Sequence, residues 1–230
     1  MDRVEIKAKA REAIAAQRGN TILAVLLYMA VVGLGSVFGA IPFLGFLLVW
    51  GTVFFIDYPL FVNLSGYFMK IFSREYNDAG EVEIGQIFSG LFNDGYLRKV
   101  GGMAWMFLFT SLWTLLFIVP GIIKGISYSM TPLILSTYPN VGAQNALKLS
   151  MRMTQGHKEE LFVTMLSFIG WFILSGLTFG VLWVLYVGPY VYATYAGYFV
   201  KLRDKALAEG VIDKSELGLP AATGESFSNL

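Results

Sequence analysis

A 230-residue chain that is 56% hydrophobic and 14% charged, with a mean hydropathy of +0.61, is too apolar for an ordinary soluble domain. Such a domain carries about 25% charged residues to cover its surface. A formal net charge of +1 argues against nucleic acid or an acidic substrate as partner, and the lack of cysteine excludes disulfides, thiolate nucleophiles and Cys-based metal sites.

The first segment, Arg3 to Arg18, is basic and amphipathic: Arg3, Lys7, Arg11 and Arg18 fall near one helical face, and Ile6, Ala10, Ala13 and Ile14 on another. The apolar run Thr21 to Ala40 follows. It is long enough to span a bilayer, and Phe38 stands where a leader peptide would have a small residue, so the run is expected to be a retained membrane helix. A bilayer core of about 30 Å asks for roughly 20 apolar residues per helix, and six stretches meet that. They are Thr21 to Ala40, Phe43 to Tyr67, Gly102 to Val119, Gly121 to Thr137, Leu161 to Thr178 and Gly180 to Val200.

The six pair into three hairpins, closed at Ile41-Pro42-Phe43-Leu44-Gly45, Val119-Pro120-Gly121 and Thr178-Phe179-Gly180. Every Lys and Arg except Lys124 lies in four blocks away from these turns: Arg3 to Arg18, Lys70 to Lys99, Lys148 to Lys158 and Lys201 to Lys214. The positive-inside rule then places the blocks, and both termini, on the cytoplasmic side of a bacterial inner or plasma membrane. The expected fold is all-α: a six-helix transmembrane bundle of three hairpins, each preceded by a cytoplasmic amphipathic segment.

The same layout reads as an internal repeat over about 1–70, 81–138 and 143–202, followed by a flexible cytoplasmic tail over 206–230. In the second unit Ile84, Ile87, Phe88, Leu91 and Phe92 fit the helical template, and in the third Gln144, Lys148, Arg152 and Gln155 form a polar stripe beside Ala143, Ala146, Leu147 and Met151. The second helix of each hairpin carries a proline, Pro59, Pro132 or Pro189. Gly66-Tyr67-Phe68-Met69-Lys70 nearly repeats as Gly197-Tyr198-Phe199-Val200-Lys201.

Two charges remain inside apolar sequence. Asp57, mid-helix, costs about 2.5–3.5 kcal/mol in a bilayer on insertion scales. Pro59 cannot donate to the carbonyl of Phe55, so the same turn leaves a backbone acceptor free. Asp57, Pro59 and Lys124 are therefore the candidate intramembrane polar site, either binding a proton, cation or headgroup or locking the bundle. Lys124 lies nearer its turn than Asp57 does, and is expected to reach an interface rather than to bridge to the acid. Arg3, Lys7, Arg11, Lys148 and Arg152 are the candidate headgroup-binding residues. The tyrosines of the last helix read as interfacial and inter-helix groups. A lone histidine, His157, makes a poor metal site, and no phosphate loop, dinucleotide fingerprint or nucleophile elbow is present, so neither a cofactor nor an enzymatic reaction is expected.

Ile6-Lys7-Ala8-Lys9-Ala10-Arg11-Glu12-Ala13 with Gly19-Asn20, Ala146-Leu147-Lys148-Leu149-Ser150 leading to Gly156-His157-Lys158, Ser167-Phe168-Ile169-Gly170-Trp171 and the Pro189-Tyr190 helix carry a resemblance. Over about residues 1–205 the chain resembles a bacterial multi-pass membrane family, domain of unknown function 975. The resemblance implies an integral membrane protein and supplies no activity or site; the family is distantly similar to membrane domains that accompany some glycerophosphodiester phosphodiesterases. The expected role is a non-enzymatic membrane protein acting through membrane lipids or another membrane protein. Its alternatives are a small transporter or channel using Asp57, and an immunity-type membrane protein.

Overall fold

The computed structural model describes residues 3–42, 44–75, 80–89, 91 and 95–219, and these form α-helices and short 3-10 and π-helical turns with no strand among them. Ala, Arg, Lys and Glu favour the first helix, α1 (Arg3–Ala16), which breaks at Gln17 before α2 (Arg18–Ser36). The Gln17 amide pins that corner to the loop beyond the first hairpin: it donates to the Gly80 carbonyl and accepts from the Val82 N–H, each at 3.2 Å. The chain turns at Ile41 and Pro42 into α3 (Gly45–Thr52) and α4 (Tyr58–Ser73). Next come α5 (Tyr96–Leu116), α6 (Ile118–Tyr128), α7 (Thr131–Thr137), α8 (Ala143–Met153), α9 (Lys158–Leu166), α10 (Ile169–Leu177) and α11 (Gly188–Ala208).

Proline dictates where three of these helices break. A proline has no N–H for the i−4 carbonyl and its ring crowds that carbonyl, so the preceding turn must change its bonding. Before Pro59 the chain forms a π-helical turn over Val53–Asp57, in which the Tyr58 N–H reaches back to Val53. Before Pro189 it does the same over Trp183–Val187, with the Gly188 N–H on Trp183. Before Pro132 the helix stops after Tyr128, and the Met130 N–H is taken up by the Ser150 hydroxyl at 3.2 Å. The second turn forms slightly earlier than expected: Phe117 is extended, and Pro120 lies in the first turn of α6, where a missing N–H costs nothing. Gly121 matters there, since a side chain would collide with Thr114.

Five helical stretches are long and apolar enough to cross a membrane: Arg18–Ala40, Gly45–Ser73, Tyr96–Leu116, Ile118–Thr137 and Lys158–Leu177. The remaining apolar segment forms the second π-helical turn and α11, which lies at the centre. Tyr198, Phe199 and Leu202 of α11 join one core cluster, and Tyr190, Val191 and Ala193 join the other. A helix walled by protein can carry a tyrosine face that lipid would disfavour, which accounts for its lower apolarity. Exposed large apolar side chains concentrate on α2, α3, the far half of α5, the near half of α6, and α10, toward the three hairpin turns.

The amphipathic segments differ from expectation. The apolar face of α1 is not left for lipid: Ile6, Ala10, Ala13 and Ile14 are buried against α4 and α11. Likewise Ala146, Leu147, Leu149 and Met153 of α8 pack against α5 and α7 and their neighbours. The segment at Ile84 is a single 3-10 turn, Ile84–Ile87, not an amphipathic helix; Phe92 lies outside the described residues. The Asn63 amide donates to the Ile87 and Ser89 carbonyls, at 2.9 and 3.0 Å, holding the strip against α4 by groups a helix would need for itself.

Residues 206–219, expected to begin a flexible tail, are folded back. Ile212 and Leu217 are buried in the core, and Arg152 forks onto Glu216 at 2.5 and 3.0 Å while also donating to the Val211 carbonyl. The rest of the expected tail, 220–230, lies outside the described residues.

Candidate functional site

The basic face of α1 follows from how its acids are used. Burying Ile6 and Ala10 draws α1 against α11, an approach that depends on Gly197, where a Cβ would lie 2.6 Å from the Phe72 ring and 2.8 Å from Ile6. Glu5 bridges Lys9 at 2.9 Å and Lys201 at 2.8 Å, and the hydrogen bonds from Lys201 and then Lys9 hold its carboxyl down to about 2. Glu12 pairs with Arg74 at 3.3 Å. The acids of α1 are thus committed to cations elsewhere, and Arg3, Lys7 and Arg11, at i, i+4 and i+8, form no ion pair with any described carboxylate.

This stripe faces an aromatic wall at the joint between α9 and α10. Lys7 Nζ donates to the Ser167 hydroxyl at 2.5 Å and lies 4.0 Å from the centre of the Phe168 ring. The Tyr190 ring is 5.8 Å from the Lys7 ammonium and 6.0 Å from the Arg11 guanidinium. Cations over ring faces gain about 0.5–2 kcal/mol, but the rings carry no net charge to neutralise them. Partial burial, then the charges of Arg3 and Arg11, push the Lys7 ammonium below the usual lysine range. Val163, one turn before Ser167, is exposed and apolar, so the stripe sits about 6 Å beyond the start of the apolar belt on α9. Arg3 stands at the rim, in a hollow it shares with Glu159 and Glu160.

The other two predicted headgroup residues lie apart from these. Lys148 is exposed on α8, and Arg152 is engaged by Glu216 and Val211.

Asp57 ends the first π-helical turn. It is 8% exposed, its Oδ1 is fully buried, and its carboxyl makes no hydrogen bond to any described residue. Tyr28 of α2 and Tyr58 are among its neighbours. The carbonyl freed by Pro59 is not left bare: the Tyr96 hydroxyl donates to Phe55 O at 2.5 Å. Lys124 is not brought to Asp57. Its ammonium lies 3.9 Å from Met151 Sδ and 5.1 Å from the Trp113 ring centre, so it is directed onto α8 rather than to the interface near its turn.

Sequence reasoning missed Ser167, Phe168 and Tyr190 as the wall facing α1, and Tyr96 as the cap on Phe55. A contact between segments so distant in sequence leaves no local signal. Two glycines serve close packing within the chain, Gly35 against Thr52 and Gly121 against Thr114.

Described residues that are helical throughout, with this belt of exposed apolar side chains and five helices long and apolar enough to span, mark the class of α-helical membrane proteins. Residues 94–206, just under half of the chain, match the family described as Protein of unknown function (DUF975). Residues before 94, which include α1 and Asp57, lie outside the match. No curated protein and no solved structure matches the chain.

Proposed function

We propose that this is a non-enzymatic protein of a bacterial cytoplasmic membrane, crossing it six times with both termini cytoplasmic, and that it binds anionic phospholipid headgroups through Lys7 and Arg11 with Arg3 at the rim. The observation that carries the reading is the set of three cations along one face of α1 without a carboxylate partner among the described residues, set against Phe168 and Tyr190. A phosphate there would accept from the ammonium and guanidinium and restore the Lys7 charge that burial and repulsion disfavour. The acyl chains would run along the exposed apolar face of α10 from Ile169 toward Leu177. Basic residues near an anionic surface contribute about 1 kcal/mol each.

The test compares the Lys7→Glu/Arg11→Glu variant with Lys148→Glu in nanodiscs of mixed zwitterionic and anionic lipid, reading which lipids co-purify. The double variant is expected to lose roughly tenfold or more of its enrichment for anionic lipid, the two reversals together amounting to at least about 1.4 kcal/mol. Lys148→Glu should keep the enrichment. Equal enrichment in the double variant and the native chain would remove the reading.

A further inference from the structure

The helices that carry Pro59, Pro132 and Pro189 meet around one cavity. It measures about 240 Å³ and lies between α4, the α6–α7 break and α11, with Phe61 and Ser65, Ser129 and Pro132, and Tyr192 and Tyr195 among its walls. Each repeat contributes its proline helix, so the cavity falls where the repeated units face one another. The walls are mainly apolar and aromatic. The Tyr192 and Tyr195 hydroxyls make no hydrogen bond to any described residue, whereas Ser65 and Ser129 are satisfied by the carbonyls of Phe61 and Ile126.

Asp57 is not itself one of the walls; it stands just before them on the chain. It is one helical turn from Phe61 on the same face of the chain, and the Phe61 ring packs between Tyr28 at 6.3 Å and Tyr192 at 6.0 Å. Tyr28 in turn neighbours both Asp57 and Tyr192. A buried carboxyl with an unpartnered oxygen thus stands behind an aromatic cluster that leads into an apolar cavity with free hydroxyls. An uncompensated buried polar group costs stability, and native structures retain one where something else satisfies it.

We propose that the cavity binds a small organic cation, a protonated or quaternary amine with an apolar body, whose charge is balanced by Asp57. The aromatic rings of Phe61, Tyr28 and Tyr192 offer negative faces to such a cation, and the apolar walls take its body. A single carboxylate with aromatic neighbours is a poor shell for a hard metal ion, which needs six or more oxygens. The amine could be a free solute or the headgroup of a choline- or ethanolamine-bearing lipid. This site is separate from the basic stripe on α1, and either can fail without the other.

The experiment uses the whole chain in nanodiscs made only of phosphatidylglycerol, so that no lipid amine competes. Phenyltrimethylammonium is titrated by equilibrium dialysis beside its neutral carbon isostere, tert-butylbenzene. Saturable binding of the cation at least tenfold tighter than of the isostere is expected. Asp57→Asn should abolish that preference, and Ser129→Leu, which fills the cavity, should abolish binding of both. Added phosphatidylethanolamine competes if the physiological amine is a lipid and leaves binding unchanged if it is a solute. Equal binding of cation and isostere to the native chain would overturn the proposal whatever the variants do, as would an unaltered preference in Asp57→Asn.

Discussion

The two π-helical proline turns use the same backbone for different contents. Aligned on their prolines, Asp57-Tyr58-Pro59 matches Val187-Gly188-Pro189, and the π-helical turns Val53–Asp57 and Trp183–Val187 occupy the same place. The acid of the first is 8% exposed and unpartnered; the valine of the second is fully buried in an apolar cluster. Where Asp57 has Tyr58 beside it, Val187 has Gly188, whose bare backbone lets Val25 of α2 approach closely. The pair separates geometry from chemistry. Proline and the i−5 bond make the turn, and the second turn forms with no acid at all, so the turn geometry does not require Asp57.

Exchanging the two residues puts that separation to its strongest test. Val187→Asp places an acid at a fully buried position within an apolar cluster, and should destabilise by about 3 kcal/mol or more. Asp57→Val copies the second turn into the first and should stabilise by about 1–2 kcal/mol, since it removes a buried polar atom that nothing satisfies. Thermal unfolding in nanodiscs reads both. A lowered midpoint in Asp57→Val would mean that the acid locks the bundle, and the contrast between the two turns would lose its meaning.

The turns also differ in how the freed carbonyl is treated, and this gives a smaller effect. Phe55 O accepts from the Tyr96 hydroxyl at 2.5 Å. Tyr96→Phe keeps the ring and removes the donor, and should lower stability by about 1 kcal/mol. In the Asp57→Val background the loss should be the same, because the hydroxyl bonds to the backbone and not to the acid. A loss that vanished in that background would show Tyr96 and Asp57 acting as one unit.

Much of this was readable before the structure. Pro59 against Phe55 announced a free acceptor, the turns at Pro42 and Phe179 fall where proline, glycine and charge placed them, and the apolar stretches became helices. What stayed hidden was the material covering each apolar face. The spacing of Ile6, Ala10, Ala13 and Ile14 demands burial, but period alone cannot distinguish an acyl chain from α4 and α11. Ile84, Ile87 and Phe88 illustrate the opposite failure. Their spacing fits a helix, yet Asn63, more than 20 residues earlier, takes the carbonyls that a helix would have used. The tyrosines of α11 lowered its apolarity because they face protein, so the most enclosed helix looked the least membrane-like.

The far ends of the two proline helices extend the comparison to its smallest expected effect. α4 stops at Ser73 with Arg74 in the left-handed region at φ 57°, whereas α11 continues to Ala208 and its following segment is folded back by Arg152. Hydrogen bonds from Arg152, then from the Asp213 N–H, hold the Glu216 carboxyl below its usual value of 4.5. A carboxyl depressed in the folded state adds stability above its unfolded value and loses it as pH falls through the folded one. Docking of 211–218 should therefore be complete at neutral pH and weaken below about pH 4. The pair is partly exposed, so the change should stay within about 1 kcal/mol. Hydrogen exchange corrected for its intrinsic pH dependence would show protection at Ile212 and Leu217 falling at low pH in the native chain and already reduced, without that dependence, in Glu216→Gln. At the end of α4 the Arg74–Glu12 pair is longer, at 3.3 Å, and more exposed, and should show a smaller loss. Equal behaviour at both ends would mean that the buried Ile212 and Leu217 hold the segment alone, and that Arg152 is free for other partners.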